Sequence, residues 1–189
     1  SISGTASEVD VAPTDSNNVV VTVGGRVLVS TDALAAGGLT FTDITHNLPG
    51  RFVGGVAFDP NDPSTIYAAL GGFSGFPGGH VFRTSLTASS WTDISPPLDL
   101  PFNTIAVDGS ETPTALYTGT DFGVLRSVDG GASWSVLDDL HFPRAPVFEL
   151  VYHRGELRAA TFGRGVFSFV APRWPTIAVN LEHNLEFGE

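Results

Sequence analysis

The chain has 189 residues and a formal charge of −11, and it contains neither Cys nor Met. All nine basic residues are Arg, too few against 20 carboxylates for binding driven by phosphate neutralisation, which sets nucleic-acid partners aside; the missing Cys removes disulfide and thiol chemistry. The 42% hydrophobic content supports a packed core, whereas 22 Gly and 13 Pro scattered between short apolar runs favour short strands and turns. No apolar run reaches the ~18 residues of a membrane span, so membrane insertion is not expected.

In chain order, the same pattern returns at a period of roughly 40–50 residues, the sequence form of a repeat architecture. The first unit reads Val11-Ala12-Pro13-Thr14-Asp15, then Val19 to Gly24, then a third strand Arg26–Ser30 and a fourth, Thr40–Ile44. The second reads Val56 to Pro63, Thr65 to Gly71, His80–Thr84 and Ser90–Ile94. The third reads Ile105 to Gly109, Ala115 to Thr120, Gly123–Ser127 and Ser133–Leu137. The fourth reads Leu150 to Gly155, Glu156 to Thr161 and Gly165–Phe169, with no outer strand evident. Each unit is therefore a four-stranded antiparallel meander, A to D, and such units in tandem predict an all-β fold, a β-propeller of about four blades over residues 1–173. Blades so few, in a chain that opens Ser1-Ile2-Ser3-Gly4, point to a piece of a larger propeller.

Between the third and fourth strands of unit three lies Ser127-Val128-Asp129-Gly130-Gly131-Ala132-Ser133-Trp134. Asp129 suits a turn whose amides it accepts, the glycines supply positive φ, and Trp134 anchors the hairpin. Worn copies stand at Ser30-Thr31-Asp32, with Ala33 to Ala36 inserted, and at Thr84-Ser85 before Ser90-Trp91. Together these resemble the Asp-box (BNR-type) repeat, Ser-x-Asp-x-Gly-x-Ser/Thr-Trp, with Ser127, Asp129, Gly131 and Trp134 in the motif positions. Thr161-Phe162-Gly163-Arg164-Gly165 is similar to a segment of sortilin-like and xyloglucanase-like propellers of that superfamily. The resemblance implies a structural role for the motif, away from the active face, and an extracellular or cell-surface location, in keeping with a bacterial exported protein. It is specific for fold and weak for function, since the superfamily holds glycosidases, sorting receptors and assembly factors.

Pro172-Arg173-Trp174-Pro175 reads as a linker. Residues 174–189 then either supply the outer strand of the last blade or, by their similarity to ASPM/SPD-2/Hydin-type repeats, begin an Ig-like domain.

Metal and cofactor sites are not expected. The five His, at 46, 80, 141, 153 and 183, do not pair at zinc-ligand spacing. Asp59-Pro60-Asn61-Asp62-Pro63 invites a calcium reading but fits an A–B turn, as do its counterparts at Asp15 and Asp108. There is no Gly-x-Ser-x-Gly elbow. Glycoside hydrolysis needs two carboxylates across a sugar, for which the D–A and B–C loops offer Asp99, Asp121, Asp138 and Asp139; no acid/base pair is identifiable, so no catalytic residue is assigned.

Binding is better sought on that loop-bearing face. Its candidates are Phe73, Phe76, His80, Asp121, Phe122, His141 and Arg164. Phe73 and Phe76 sit in a long Gly-rich loop, either displayed for recognition or folded back over the channel. Arg164 reads more readily as a hydrogen-bonding group between blades than as a ligand contact. The expected function is a non-catalytic interaction or scaffold module of a larger secreted or cell-surface protein, with a protein or polysaccharide partner. The alternatives are a carbohydrate-binding or glycoside-hydrolase-related domain, and a structural subunit of an extracellular filament or surface layer that self-associates through a blade edge or its tail.

Overall fold

The computed structural model describes residues 4–137 and 142–170; the expectations for Asp138, Asp139, His141 and residues 174–189 fall outside them. Fifteen strands and no helix occur among the described residues. They form four antiparallel sheets, each a meander in chain order. Blade 1 holds β1 (Glu8–Val11), β2 (Val19–Val23), β3 (Arg26–Ser30) and β4 (Thr42–Asp43). Blade 2 holds β5 (Val53–Asp59), β6 (Asp62–Leu70), β7 (Val81–Ser85) and β8 (Thr92–Asp93). Blade 3 holds β9 (Phe102–Asp108), β10 (Ala115–Thr120), β11 (Gly123–Ser127) and β12 (Ser135–Val136), and blade 4 holds β13 (Val147–His153), β14 (Glu156–Thr161) and β15 (Gly165–Val170). The chain is thus a four-blade propeller arrangement, with three strands of the last blade among the described residues.

Two strand expectations shift. The first inner strand lies upstream of the expected segment, because Pro13 lacks the N–H a ladder needs and Pro13–Asp15 turns instead, Asn17 donating its amide to Asp15 Oδ1 at 3.1 Å. The outer strands are only two residues long, not five: each pairs on one side alone, and a short edge leaves few unpaired groups.

Apolar side chains on the facing sides of neighbouring blades build three hydrophobic clusters, one per junction. Val20, Val27 and Val29 of blade 1 meet Val56, Phe58, Ile66 and Phe82 of blade 2. Ala57, Tyr67 and Val81 meet Ile105, Leu116 and Leu125 across the next junction, and Ala106, Tyr117 and Val124 meet Leu150, Leu157 and Ala159 across the third. Two tryptophans staple these junctions. The Trp91 indole donates to Ile44 O at 2.7 Å, and the Trp134 indole to Ile94 O at 2.8 Å, each reaching into the preceding blade.

The inner strands β1, β5, β9 and β13 surround an axial cavity of about 300 Å³ lined by Glu8, Asp10 and Glu149 among others. Packing there is close: a Cβ on Gly55 would stand 2.8 Å from Ile105 N, so the approach of β5 to β9 requires glycine.

Candidate functional site

The Ser127–Trp134 hairpin decides which loops share a face, because it joins β11 to β12 at one end of the blade. Ser133 donates its amide to Asp129 Oδ1 at 2.8 Å and its hydroxyl to Oδ2 at 2.5 Å, while Ser127 Oγ donates to Oδ1 at 2.8 Å. Gly131 donates its amide to Ser127 Oγ at 2.9 Å. These bonds hold the Asp129 carboxyl down at about 2, the side-chain bond from Ser133 contributing most. Asp129 is an anchored turn carboxylate that connects β11 to β12.

The A–B turns share that end. Asn61 donates its amide to Asp59 Oδ1 at 2.9 Å, Tyr67 donates its hydroxyl to Oδ2 at 3.0 Å, and Asp62 accepts from Ser64 and Thr65. Ser110 donates its amide to Asp108 Oδ1 at 2.8 Å in the next blade. Asp59 and Asp62 are therefore occupied by turn donors.

The opposite rim carries the B–C and D–A loops, tied together in blades 2 to 4 by a recurring bond from the end of the B strand. Gly71 N donates to Phe52 O at 2.9 Å, Asp121 N to Pro101 O at 3.3 Å and Phe162 N to Pro146 O at 2.8 Å. On this rim phenylalanines face solvent. Phe73 is 68% and Phe76 58% exposed, and Phe52, Phe122, Phe148 and Phe162 are exposed as well. The arrangement is local in origin. Phe148 is the extra residue of a β-bulge, since Val147 pairs with Thr161 but Glu149 with Ala160, and its ring meets Phe162 edge-on at 6.1 Å. Phe122 is covered on one side by the Arg144 guanidinium, 5.4 Å from the ring centre.

The Gly-rich loop bearing Phe73 and Phe76 rests on three charged or titratable groups. His80 is wholly buried and stacks on Phe102 at 5.2 Å. Arg51 Nη1 donates to His80 Nδ1 at 3.1 Å, which places the imidazole proton on Nε2, 3.2 Å from Asp99 Oδ1. Burial first, and then the Arg51 charge, push the His80 pKa down, so the ring is neutral. Arg51 also donates to Gly71 O, Gly72 O and Gly79 O. Asp99 accepts the amides of Ser74 at 2.7 Å and Gly75 at 3.0 Å, and the Ser74 bond leads the causes that lower its pKa. The loop is clamped at its start, middle and end.

The sequence-derived candidates therefore separate. Phe73, Phe76, Asp121, Phe122 and Arg164 lie at the surface of this rim. His80 lies beneath it and supports the loop. Asp99 is bonded through both oxygens to the loop, and Asp121 accepts from Asn103 Nδ2 at 2.9 Å. Phe52 and Phe148 were not among the candidates: Phe52 directly precedes β5 and Phe148 is the second residue of β13, where a large apolar side chain reads as core. The Arg51 and Asp99 partnership joins residues 48 apart in sequence, and no local pattern announces it.

The sequence matches no family model and no curated protein. Solved structures do match. The GH74 xyloglucanase of Xanthomonas campestris is 23% identical over 87% of this chain and 24% of its own, with a TM-score of 0.62. The GH74 enzyme of Niastella koreensis is 18% identical over 87% and 28%, with a TM-score of 0.61. A nidogen/laminin complex gives 11% identity over 88% and 60%, with a TM-score of 0.67. The chain spans about a quarter of the length of those GH74 enzymes. At such identities the likeness shows the fold: the chain is built as β-propeller blades.

Proposed function

We propose that this propeller is a non-catalytic recognition module of Asp-box type, part of a larger secreted or cell-surface protein, and that it binds a partner protein through the phenylalanine rim. The observation that carries this reading is the display of Phe73 and Phe76 on a loop clamped by Arg51, His80 and Asp99. Exposed aromatics are costly in water and typical of recognition surfaces, and a loop already ordered loses less entropy on binding. Neighbouring folds include a nidogen/laminin complex and the extracellular domain of a hybrid two-component system, which supports an extracellular setting.

The second reading, a glycoside-hydrolase-related domain, draws on the GH74 neighbours. A general acid needs a raised pKa, whereas Asp99 is lowered and both its oxygens are engaged by the loop. The test exposes immobilised protein to secreted and surface proteins from the host and to soluble xyloglucan. The expected result is retention of a defined partner protein, lost in F73A/F76A with the melting temperature unchanged. Release of reducing ends from xyloglucan, abolished in D121N, would overturn the reading.

A further inference from the structure

Asp59 and Asp108 end the inner strands of blades 2 and 3 at the same place, two residues beyond Ala57 and Ala106. Asp59 takes the Tyr67 hydroxyl on Oδ2 and, across the junction, the Thr114 hydroxyl on Oδ1 at 3.3 Å. Asp108 has neither donor. Tyr117 holds the register position of Tyr67, yet its hydroxyl and Asp108 Oδ2 are both buried and without a partner among the described residues. Blade 4 places Gly155 where blade 3 has Thr114, so no side chain reaches across. The Tyr152 hydroxyl is pushed up to about 12, by burial first and by Asp108 next, but leaves Oδ2 unbonded. Asp108 is 1% exposed, and a buried carboxylate oxygen without a donor is costly. It lines a cavity of about 380 Å³ at the A–B end of the axis, with Gly155 beside it.

That cavity adjoins the axial one, since Pro13, Pro60, Val107 and Tyr152 line both. In the axial cavity, carboxylates alternate with bare aliphatics: Glu8 and Glu149 line it, and so do Val9, 59% exposed, and Val151, 51% exposed. No basic side chain lines it. Leu150 donates its amide to Thr104 Oγ1 at 3.3 Å, which sets Glu149 beside Thr104, ~13 Å along β9 from Asp108. Carboxylates spread in this way do not converge on one ion, and no group of three among the described residues can hold a metal. Their spacing and their aliphatic neighbours suit a long cation whose charges are separated by hydrocarbon.

We propose that the two cavities together bind a linear aliphatic polyamine, a protonated triamine of the spermidine class, with one terminal ammonium on Asp108 Oδ2, the other between Glu8 and Glu149, and the alkyl stem along Val9, Val107 and Val151. An ammonium brings the donor that Asp108 lacks, and the stem covers the exposed valines. His153 and Arg154 line the outer mouth and oppose the cation there, against four carboxylates along its length. The site is separate from the phenylalanine rim and does not depend on it.

Isothermal titration calorimetry of the 189-residue chain with spermidine, at neutral pH and low salt, tests the proposal, with putrescine and magnesium chloride as comparison titrants. The expected result is one spermidine per chain, with putrescine about 10-fold weaker because it cannot span both ends. D108N and E149Q should each weaken spermidine about 10-fold, as loss of a charge-assisted contact does. E156Q removes a carboxylate outside both cavities and should leave the affinity unchanged. Glu149 is exposed, so E149Q stays readable even where D108N disturbs the turn at Ser110. Absence of saturable spermidine binding overturns the proposal and leaves Asp108 Oδ2 to water. So does displacement of spermidine by magnesium at equal ionic strength, which marks diffuse attraction to the charge of −11. Wild-type affinity in E149Q overturns it as well.

Discussion

Asp32 and Asp129 hold equivalent places in two hairpins of unequal length. Asp129 takes the amide and hydroxyl of Ser133 four residues on, and Asp32 takes those of Thr40 eight residues on, at 3.0 and 2.6 Å. The inserted residues loop out, and both carboxyls are held at about 2. What makes the hairpin specific is therefore the ring of bonds, and Gly131 is its least replaceable member. Its φ is +94°, and a Cβ there would stand 2.7 Å from the Ile94 side chain. G131A should cost about 1–3 kcal/mol through backbone strain and the clash with blade 2, lowering the melting temperature by about 2–4 °C per kcal/mol in thermal denaturation. W91F should cost about 2 kcal/mol, since it leaves Ile44 O without its 2.7 Å donor and opens a gap at the first junction. If W91F melts like wild type, the staple is not a stability element.

At the scale of elements, the B–C loop of blade 2 is held by side chains from three different loops or strand ends. D99N keeps size but offers weaker acceptance to the Ser74 and Gly75 amides and to His80. The loop at 71–79 should then open locally while the blades stay packed. Cleavage within 71–79 by a protease of broad specificity should quicken several-fold in D99N, with the global melt nearly unmoved; unchanged cleavage would show that Arg51 alone holds the loop. The blade order, the Asx turns and the hairpin at Asp129 were legible in the sequence because each rests on contacts local along the chain or on a repeating apolar period. The clamp was not, since Arg51, His80 and Asp99 meet only after two loops and a strand end converge.

For the whole molecule, carboxylates fall into two opposed groups. Asp32, Asp43, Asp62, Asp99, Asp129 and Glu156 are lowered, in most cases chiefly by hydrogen bonds. Glu8, Asp10 and Glu149, around the axial cavity, are raised, burial coming first and, for Glu8, the Glu149 charge second. A lowered carboxyl stabilises the fold above its unfolded pKa, and that contribution is lost as pH falls through the folded value. A raised one acts in reverse: its ionised form weakens the fold at neutral pH, and the penalty disappears as pH falls through the folded pKa to below the unfolded one. Acidification from neutrality therefore first relieves the axis, where blades 1 and 4 bring Glu8 and Glu149 together, and only later releases the hairpins, as pH approaches about 2. Thermal melts from pH 8 to pH 2 should show a maximum on the mildly acidic side, and E149Q should flatten the rise on its alkaline flank while leaving the acid collapse in place. A melting temperature that falls steadily from pH 7 downward, or a rise that persists unchanged in E149Q, would show that the axial carboxylates do not govern stability.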